Sequence, residues 1–262
     1  DRLTLVRRVA YDLTGLPPTW TQVETFLSDK QPGAYARMVD RFLASRHYGE
    51  RWGRYWLDLA GYADSDGGQN SDPIREHVWR YRDYIIAAFN ANKPYDRFLR
   101  EQIAGDELAK PGSIPDAKLA ENLVATGFLR LGTDYSFANI TAFVPDRLEV
   151  IDREMEVLTG GVMGLTLKCA KCHDHKFDPV PQADYFRLLA IFKGALDEHD
   201  WMRPRDGSGS SYNVAWPTRL LPLPGAHVEW AADKKRIDDA IAKLKAAGGE
   251  KKNAEAIKKL NA

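Results

Sequence analysis

The sequence has few cysteines, no net charge and no long hydrophobic run. Its 262 residues include only two cysteines, and its 37 basic residues balance its 37 acidic ones. A zero balance gives no whole-chain electrostatic reason to expect a nucleic acid or an anionic lipid surface as a partner. The best apolar stretch, residues 158–167, is too short to span a bilayer and contains three glycines, so no membrane span is expected.

Strand patterns are also missing, because no run of five or more residues alternates convincingly between apolar and polar. Nearly every periodic segment has helical spacing instead. We therefore predict a mainly α fold, an irregular multi-helix domain with long loops. Helices are expected at residues 1–10, after residue 19, from residue 33, at 47–62, after residue 73, and at 95–108, 117–129, 146–167 and 184–195.

Two of these helices carry more detailed predictions. Thr19 with Gln22, and Thr21 with Glu24, are both spaced as capping boxes at a helix start. In the helix at 47–62 the apolar stripe is predicted to consist of Trp52, Tyr55, Trp56 and Leu59.

Composition divides the chain into three parts. Residues 1–203 form the predicted helical domain, residues 204–228 a connection rich in proline, glycine and serine, and residues 229–262 an amphipathic tail. In the tail Trp230, Ile237 and Leu244 recur every seven residues, which predicts a helical hairpin or short coiled coil. A basic helix lying on a membrane surface is the alternative for this tail.

What the sequence does contain is a single short motif that uses both cysteines. Cys169 and Cys172 are three residues apart, and His173 follows directly. This C-x-x-C-H pattern is typical of covalent haem attachment. The two thiols would bond to the haem vinyl groups, and the histidine would supply the proximal nitrogen to the iron.

Other chemistry remains open for the same residues. Zinc could take the two cysteines with His173 or His175, although a closed structural site usually has four ligands. A thioredoxin-like redox pair would need a neighbouring βαβ pattern, and a plain disulfide is a further alternative. His175 is a candidate hydrogen-bond donor to the groups that hold the cofactor, or a contact of a haem propionate, or else a solvated or hydrogen-bonded surface histidine.

The remaining candidate ligands are less specific. Met202 and His199 lie about one helix beyond the motif, and either could return to the iron as the sixth ligand. Asp64 and Asp66 stand in a polar turn that could hold calcium, although the closing glutamate of an EF-hand is missing.

Residues 1 to about 200 resemble the planctomycete cytochrome c domain family (DUF1549). The resemblance is carried by RRVAYDLTGLPPT (7–19), YGERWGRYWLDLAGYADSDG (48–67), WRYRDYIIAAFNANKPYDRFLREQIAGD (79–106), ATGFLR (125–130) and GLTLKCAKCHDHKFDPVPQADYFRLLAIF (164–192). It implies covalent haem at Cys169 and Cys172 with His173 on the iron. Because the family occurs in large exported proteins, it also implies a periplasmic or otherwise exported location, with other domains of the parent protein as partners. No charged and apolar leader opens the chain, which we expect to be trimmed at both ends.

The sequence therefore supports three hypotheses. The first is an electron-transfer domain that holds haem c and exchanges electrons with a redox partner. The second is a haem-dependent redox enzyme whose sixth coordination position is open. The third is a non-redox helical binding module that zinc or a disulfide stabilises.

Overall fold

The fold is mainly α, as the sequence predicts. The computed structural model describes residues 1–65, 72, 74–75, 77–108, 116–132 and 144–193, with Asp239 and Ala242, apart from the side chains of residues 116 and 144–147. These residues form no strand, and their helices are α1 (Arg2–Thr14), α2 (Trp20–Ser28), α3 (Ala34–Leu43), α4 (Arg46–Leu59), α5 (Trp79–Asn90), α6 (Tyr95–Ala104), α7 (Asp116–Ala125), α8 (Val144–Leu158) and α9 (Gln182–Lys193). The predicted connection and tail, 204–262, lie outside the described residues but for two positions.

Helices α1 to α3 pack around a core of their own. Thr19 caps α2 in a reciprocal box with Gln22, since each backbone N–H donates to the other residue's side chain. The first of the two predicted capping boxes is therefore confirmed. The buried side chains of this first cluster are Val6, Val9, Ala10, Val23, Phe26, Ala34, Met38 and Phe42.

Helix α4 packs closely against α5 through glycines. Gly49 and Gly53 are buried, and the backbone N–H of Gly49 donates to Oδ1 of Asn90 at 2.8 Å. The predicted stripe of α4 is accordingly wrong for three of its four residues, because only Trp56 is buried. The exposed three are Trp52, Tyr55 and Leu59. Two glycines together with Trp56, rather than the other aromatic residues, form the face that meets α5.

The second cluster lies between α4, α5, α6 and the 3-10 turn Thr126–Arg130. Trp56 is at its centre, and its ring nitrogen donates to Tyr81 and to Gln102, each at 3.0 Å. Glu101 of α6 is also buried, with 1% exposure, and accepts hydrogen bonds from Lys93, Arg97 and Lys118. Three cations around one carboxylate provide the compensation that a buried charge requires.

The segment before the cysteines differs from the continuous helix predicted over 146–167. Helix α8 ends at Leu158, a π turn spans Thr159–Met163, and Gly164 adopts a left-handed conformation with φ of 66°. A 3-10 turn at Leu167–Lys171 follows. The change of direction at Gly164 separates the cysteines from α8, so they lie on a turn and not at a helix end.

Candidate functional site

The cysteine loop, defined here as residues 166–180, packs between α8 and α9. Its inner side contributes Leu167 and Ala170 to a third hydrophobic cluster, whose other buried members are Val150, Ile151, Met155, Tyr185 and Phe192. Ala170 stands between the two cysteines in the sequence and has no exposed surface. The motif is therefore anchored in the core by one of its two intervening residues.

The two cysteines face the opposite way and are exposed, free thiols. Cys169 lies in the 3-10 turn, and Cys172 follows its last residue with helical dihedral angles. Residues three apart on a 3-10 turn are nearly eclipsed, so the two side chains project on the same side.

His173 is exposed, and the backbone of the following residue orients its ring. Its Nδ1 lies 2.7 Å from the carbonyl oxygen of Asp174, to which it can donate a proton. A metal-binding histidine characteristically donates its other ring N–H to a carbonyl or carboxylate. In that tautomer Nε2 is the nitrogen available to an axial metal. The exposed thiols and this imidazole together fit the donor set of a c-type haem.

His175 has the reverse environment, because its side chain is only 6% exposed. Its Nδ1 accepts the backbone N–H of Asp178 at 2.9 Å, and its Nε2 lies 2.9 Å from Oγ1 of Thr166. Its backbone N–H donates to the carbonyl of Val180, also at 2.9 Å. Both ring nitrogens are therefore used inside the loop. We infer a structural hydrogen-bonding position and not a surface one.

A buried carboxylate of α8 holds the loop from the other side. Asp152 is 2% exposed and accepts hydrogen bonds from Lys171, within the motif, and from the hydroxyl of Tyr185 in α9. At the start of α9, Gln182 donates its backbone N–H to Asp174 and its side-chain amide to the carbonyl of Lys171. This anchor was not predicted from the sequence. The signal that could have indicated it is an acidic residue directly after the buried apolar pair 150–151.

An ion pair continues along the outer surface of α8. Nζ of Lys168 lies 2.9 Å from Glu156, and this hydrogen bond raises the pKa of the Lys168 ammonium. Glu156 also lines a cleft of about 360 Å³. The other lining residues are Leu59, Gly61, Gly132, Arg153, Val157, Gly160 and Gly161. None of the three motif donors lines this cleft, which was not predicted from the sequence.

Several predicted ligands fall elsewhere. Met202 and His199 lie outside the described residues, as does Asp66, while Oδ1 of Asp64 accepts the hydroxyl of Tyr62 at 2.7 Å. Within the described part of the chain no group of three or more histidine, cysteine, aspartate or glutamate side chains is arranged to hold a metal ion.

The fold and the site define a mainly helical protein that exposes a C-x-x-C-H turn. The family model described as PSCyt2, protein of unknown function (DUF1549), matches residues 1–197, and the chain belongs to this cytochrome-like planctomycete family. No curated protein and no solved structure matches the chain. None of the described helices is long and apolar enough to cross a membrane.

Proposed function

We propose that the chain is a c-type haem-binding, electron-transfer domain of a larger exported protein. The observation that carries the proposal is the geometry of the motif. Two exposed thiols lie three residues apart, one in a 3-10 turn and the other directly after it, and the adjacent imidazole is oriented through Nδ1 so that Nε2 is available. The family's cytochrome-like name is consistent with this assignment.

Each motif residue has a distinct task in the proposal. Cys169 and Cys172 would hold the haem through two thioethers, each formed by adding S–H across a vinyl C=C bond, with sulfur bonding to one carbon and the hydrogen to the other. This addition consumes no oxidant or reductant. His173 would hold the iron through Nε2, while its Nδ1–H donates a hydrogen bond to the carbonyl oxygen of Asp174. Once attached, haem supplies one-electron redox chemistry.

The surroundings of the loop suit a group held at the surface. Phe177 is 82% exposed, so it does not pack in the core, and Lys176 lies 5.2 Å from its ring centre. An exposed aromatic ring provides apolar surface against a porphyrin, and a lysine can pair with a propionate. For the sixth position we retain Met202 or His199 as candidates. The parent protein's other domains and a separate redox partner are the expected electron donors and acceptors.

The decisive experiment is haem loading in the compartment where attachment occurs. The full chain is exported to a periplasm that has haem-c maturation machinery, purified, denatured, and examined by intact mass and pyridine haemochrome absorption. We expect one covalent haem per chain. Cys169→Ala and Cys172→Ala should each remove one thioether, and His173→Ala should abolish the low-spin iron signature.

The matched control is His77→Ala, which removes an exposed histidine outside the loop and should leave the haem content unchanged. Stoichiometric zinc without covalent porphyrin would contradict the proposal and favour the zinc module. Covalent haem with a high-spin ferric spectrum would instead favour the enzyme with an open sixth position. A low-spin spectrum that Met202→Ala or His199→Ala converts to high spin would identify the sixth ligand.

A further inference from the structure

We propose that His175 is a positioning residue for the motif and not a ligand or propionate contact. It fixes the ends of the cysteine loop and so holds Cys169, Cys172 and His173 in one orientation. The inference deepens the proposed function, on which its haem readout rests. Its other readouts use the haem-free chain and do not depend on that function.

The first support is burial combined with complete hydrogen bonding. The His175 side chain is 6% exposed, whereas its neighbour His173 is exposed. Nδ1 of His175 accepts the N–H of Asp178 and lies 3.2 Å from the carboxylate of the same residue. In the neutral ring that uses Nδ1 as an acceptor, the proton is on Nε2 and is donated to Thr166. A buried imidazole with both nitrogens engaged has no lone pair left for iron.

The second support is the sequence distance that these bonds close. Thr166 directly precedes the 3-10 turn, and Asp178 follows the motif, so the ring joins the two sides of a 13-residue segment that contains all three donors. The His175 backbone also donates to Val180. Side-chain bonds of this kind keep a site in its functional geometry by restricting the loop that carries it.

The third support is that no other described contact of the loop joins Thr166 to the residues after His173. Ala170 and Lys171 anchor the middle of the motif on α8, and Gln182 anchors Asp174 at the start of α9. Those contacts fix the loop at its base. Only the His175 ring, among the contacts described for the loop, connects Thr166 with the residues that follow His173.

The ring itself gives the first test. The full chain is expressed without haem attachment and labelled with ¹⁵N, and the His175 ring nitrogens are recorded at neutral pH. We expect a single Nε2–H tautomer. A ring that exchanges between tautomers would overturn the proposal, because it would show that the two hydrogen bonds do not persist.

The second test measures how well the two thiols are held together. Phenylarsine oxide bridges two nearby thiols, whereas iodoacetamide modifies each one separately. We expect His175→Ala to weaken arsenical binding about tenfold, since the loop must then be ordered on binding. The iodoacetamide rate should stay within about twofold, because both thiols are already exposed. Equal arsenical binding by the variant and the wild type would overturn the proposal.

Conservative variants separate positioning from general stability. In His175→Asn the amide oxygen can replace Nδ1 towards Asp178, and in His175→Gln the longer amide can replace Nε2 towards Thr166. Each should recover part of the arsenical affinity that His175→Ala loses, while His77→Ala should lose none. Failure of both amides to recover any affinity would overturn the hydrogen-bond explanation.

Haem loading then distinguishes the two proposals. If the wild-type chain binds the arsenical tightly and takes up no haem, the proposed function fails and the positioning role stands. If His175→Ala takes up haem to the wild-type level with an identical spectrum, the positioning role fails and the proposed function stands. We expect lower covalent yield and an altered ferric spectrum in His175→Ala.

Discussion

Two side chains from different parts of the chain meet at the carboxylate of Asp152. Lys171 reaches it from the C-x-x-C turn and Tyr185 reaches it from α9, and the carboxylate itself is 2% exposed. Hydrogen bonds to a buried charged group contribute more to stability than neutral ones, and an unsatisfied donor left behind adds a further cost. This residue therefore connects the stability of the domain with the geometry of the motif.

Replacing this carboxylate gives a residue-scale prediction. Asp152→Asn removes the charge but keeps the size, and we expect the free energy of unfolding to fall by about 2 kcal/mol. Urea denaturation followed by circular dichroism measures the change. The control Asp58→Asn alters an exposed carboxylate that is 3.7 Å from Arg54, and it should change stability by less than about 0.5 kcal/mol. Equal effects of the two substitutions would show that Asp152 is not an anchor.

The C-x-x-C-H motif could be predicted from the sequence, because its chemistry depends only on the spacing of three residues. The spacing of Cys169, Cys172 and His173 is visible in one dimension, and the structure places all three at the surface of one turn. The anchor Asp152 could not be predicted, because it lies in α8, well before the motif, and the chain returns to it only after the break at Gly164. Its role depends on a change of chain direction that helical periodicity does not reveal.

At the scale of elements, the contact between α4 and α5 depends on the absence of side chains. A Cβ atom at Gly49 would lie 2.3 Å from the carbonyl oxygen of Ile86, and one at Gly53 would lie 3.2 Å from a methyl group of Ile85. A backbone oxygen cannot move aside without shifting α5, whereas a side-chain methyl can rotate. The two glycines of one helix face are therefore expected to respond differently to the same substitution.

Alanine substitutions test this difference. Gly49→Ala should lower the free energy of unfolding by about 3 kcal/mol, because overpacking outweighs the gain in helix propensity. Gly53→Ala should change it by no more than about 1 kcal/mol, because the propensity gain offsets a small displacement of Ile85. Urea unfolding of both variants provides the comparison. Similar values for the two would contradict the packing explanation.

A second element-scale feature is the charge network that joins α6 to its neighbours. Burial raises the pKa of Glu101, but hydrogen bonds from Lys93, Lys118 and Arg97 outweigh burial and lower it to about 2. The ordinary value is 4.5, so the unfolded chain binds the proton more readily than the folded one. Glu101 therefore contributes stability above pH 4.5, and this contribution is lost as the pH falls towards 2.

The corresponding prediction compares stability across pH. Glu101→Gln should lower the free energy of unfolding by about 3 kcal/mol at neutral pH, since three cations lose their buried partner. The gap between wild type and variant should narrow as the pH falls below 4.5. Glu107→Gln, at an exposed position after α6, serves as the control and should show no such gap. A gap that is constant with pH would exclude ionisation of Glu101 as its source.

The sequence predicted which helices form better than it predicted which face of each helix is buried. The nine helices expected within residues 1–195 are all present, because each has apolar residues at helical spacing. The predicted buried stripe of α4 was wrong because it was assigned from large aromatic residues. Gly49 and Gly53, which have no side chain to mark them as buried, lie on the buried face instead. The break in α8 was missed because glycines within an apolar run do not reveal a left-handed conformation such as that of Gly164.

For the whole molecule, three hydrophobic clusters contain every buried apolar residue of the described core except Leu119. Their buried members all lie between Val6 and Phe192. The family model ends in the same region, at residue 197. The predicted boundary at residue 203 therefore leaves every described core residue on one side.

Truncation tests this boundary. A chain ending at residue 203 should have the same free energy of unfolding as the full chain, within about 0.5 kcal/mol. The reason is that the truncation removes no described core contact. Urea unfolding of both chains, followed by circular dichroism, is the measurement. A clearly lower midpoint for the shortened chain would show that residues 204–262 contribute to the core.

The burial of Ala170 between two exposed cysteines bears on whether folding or cofactor attachment comes first. The side chain that secures the turn and the side chains that react belong to different faces of that turn. Under the proposed function, the polypeptide can therefore fold completely before haem is attached. The attachment enzymes would then act on the surface of a folded domain. Loading would then be a late finishing step of export, independent of the formation of the core.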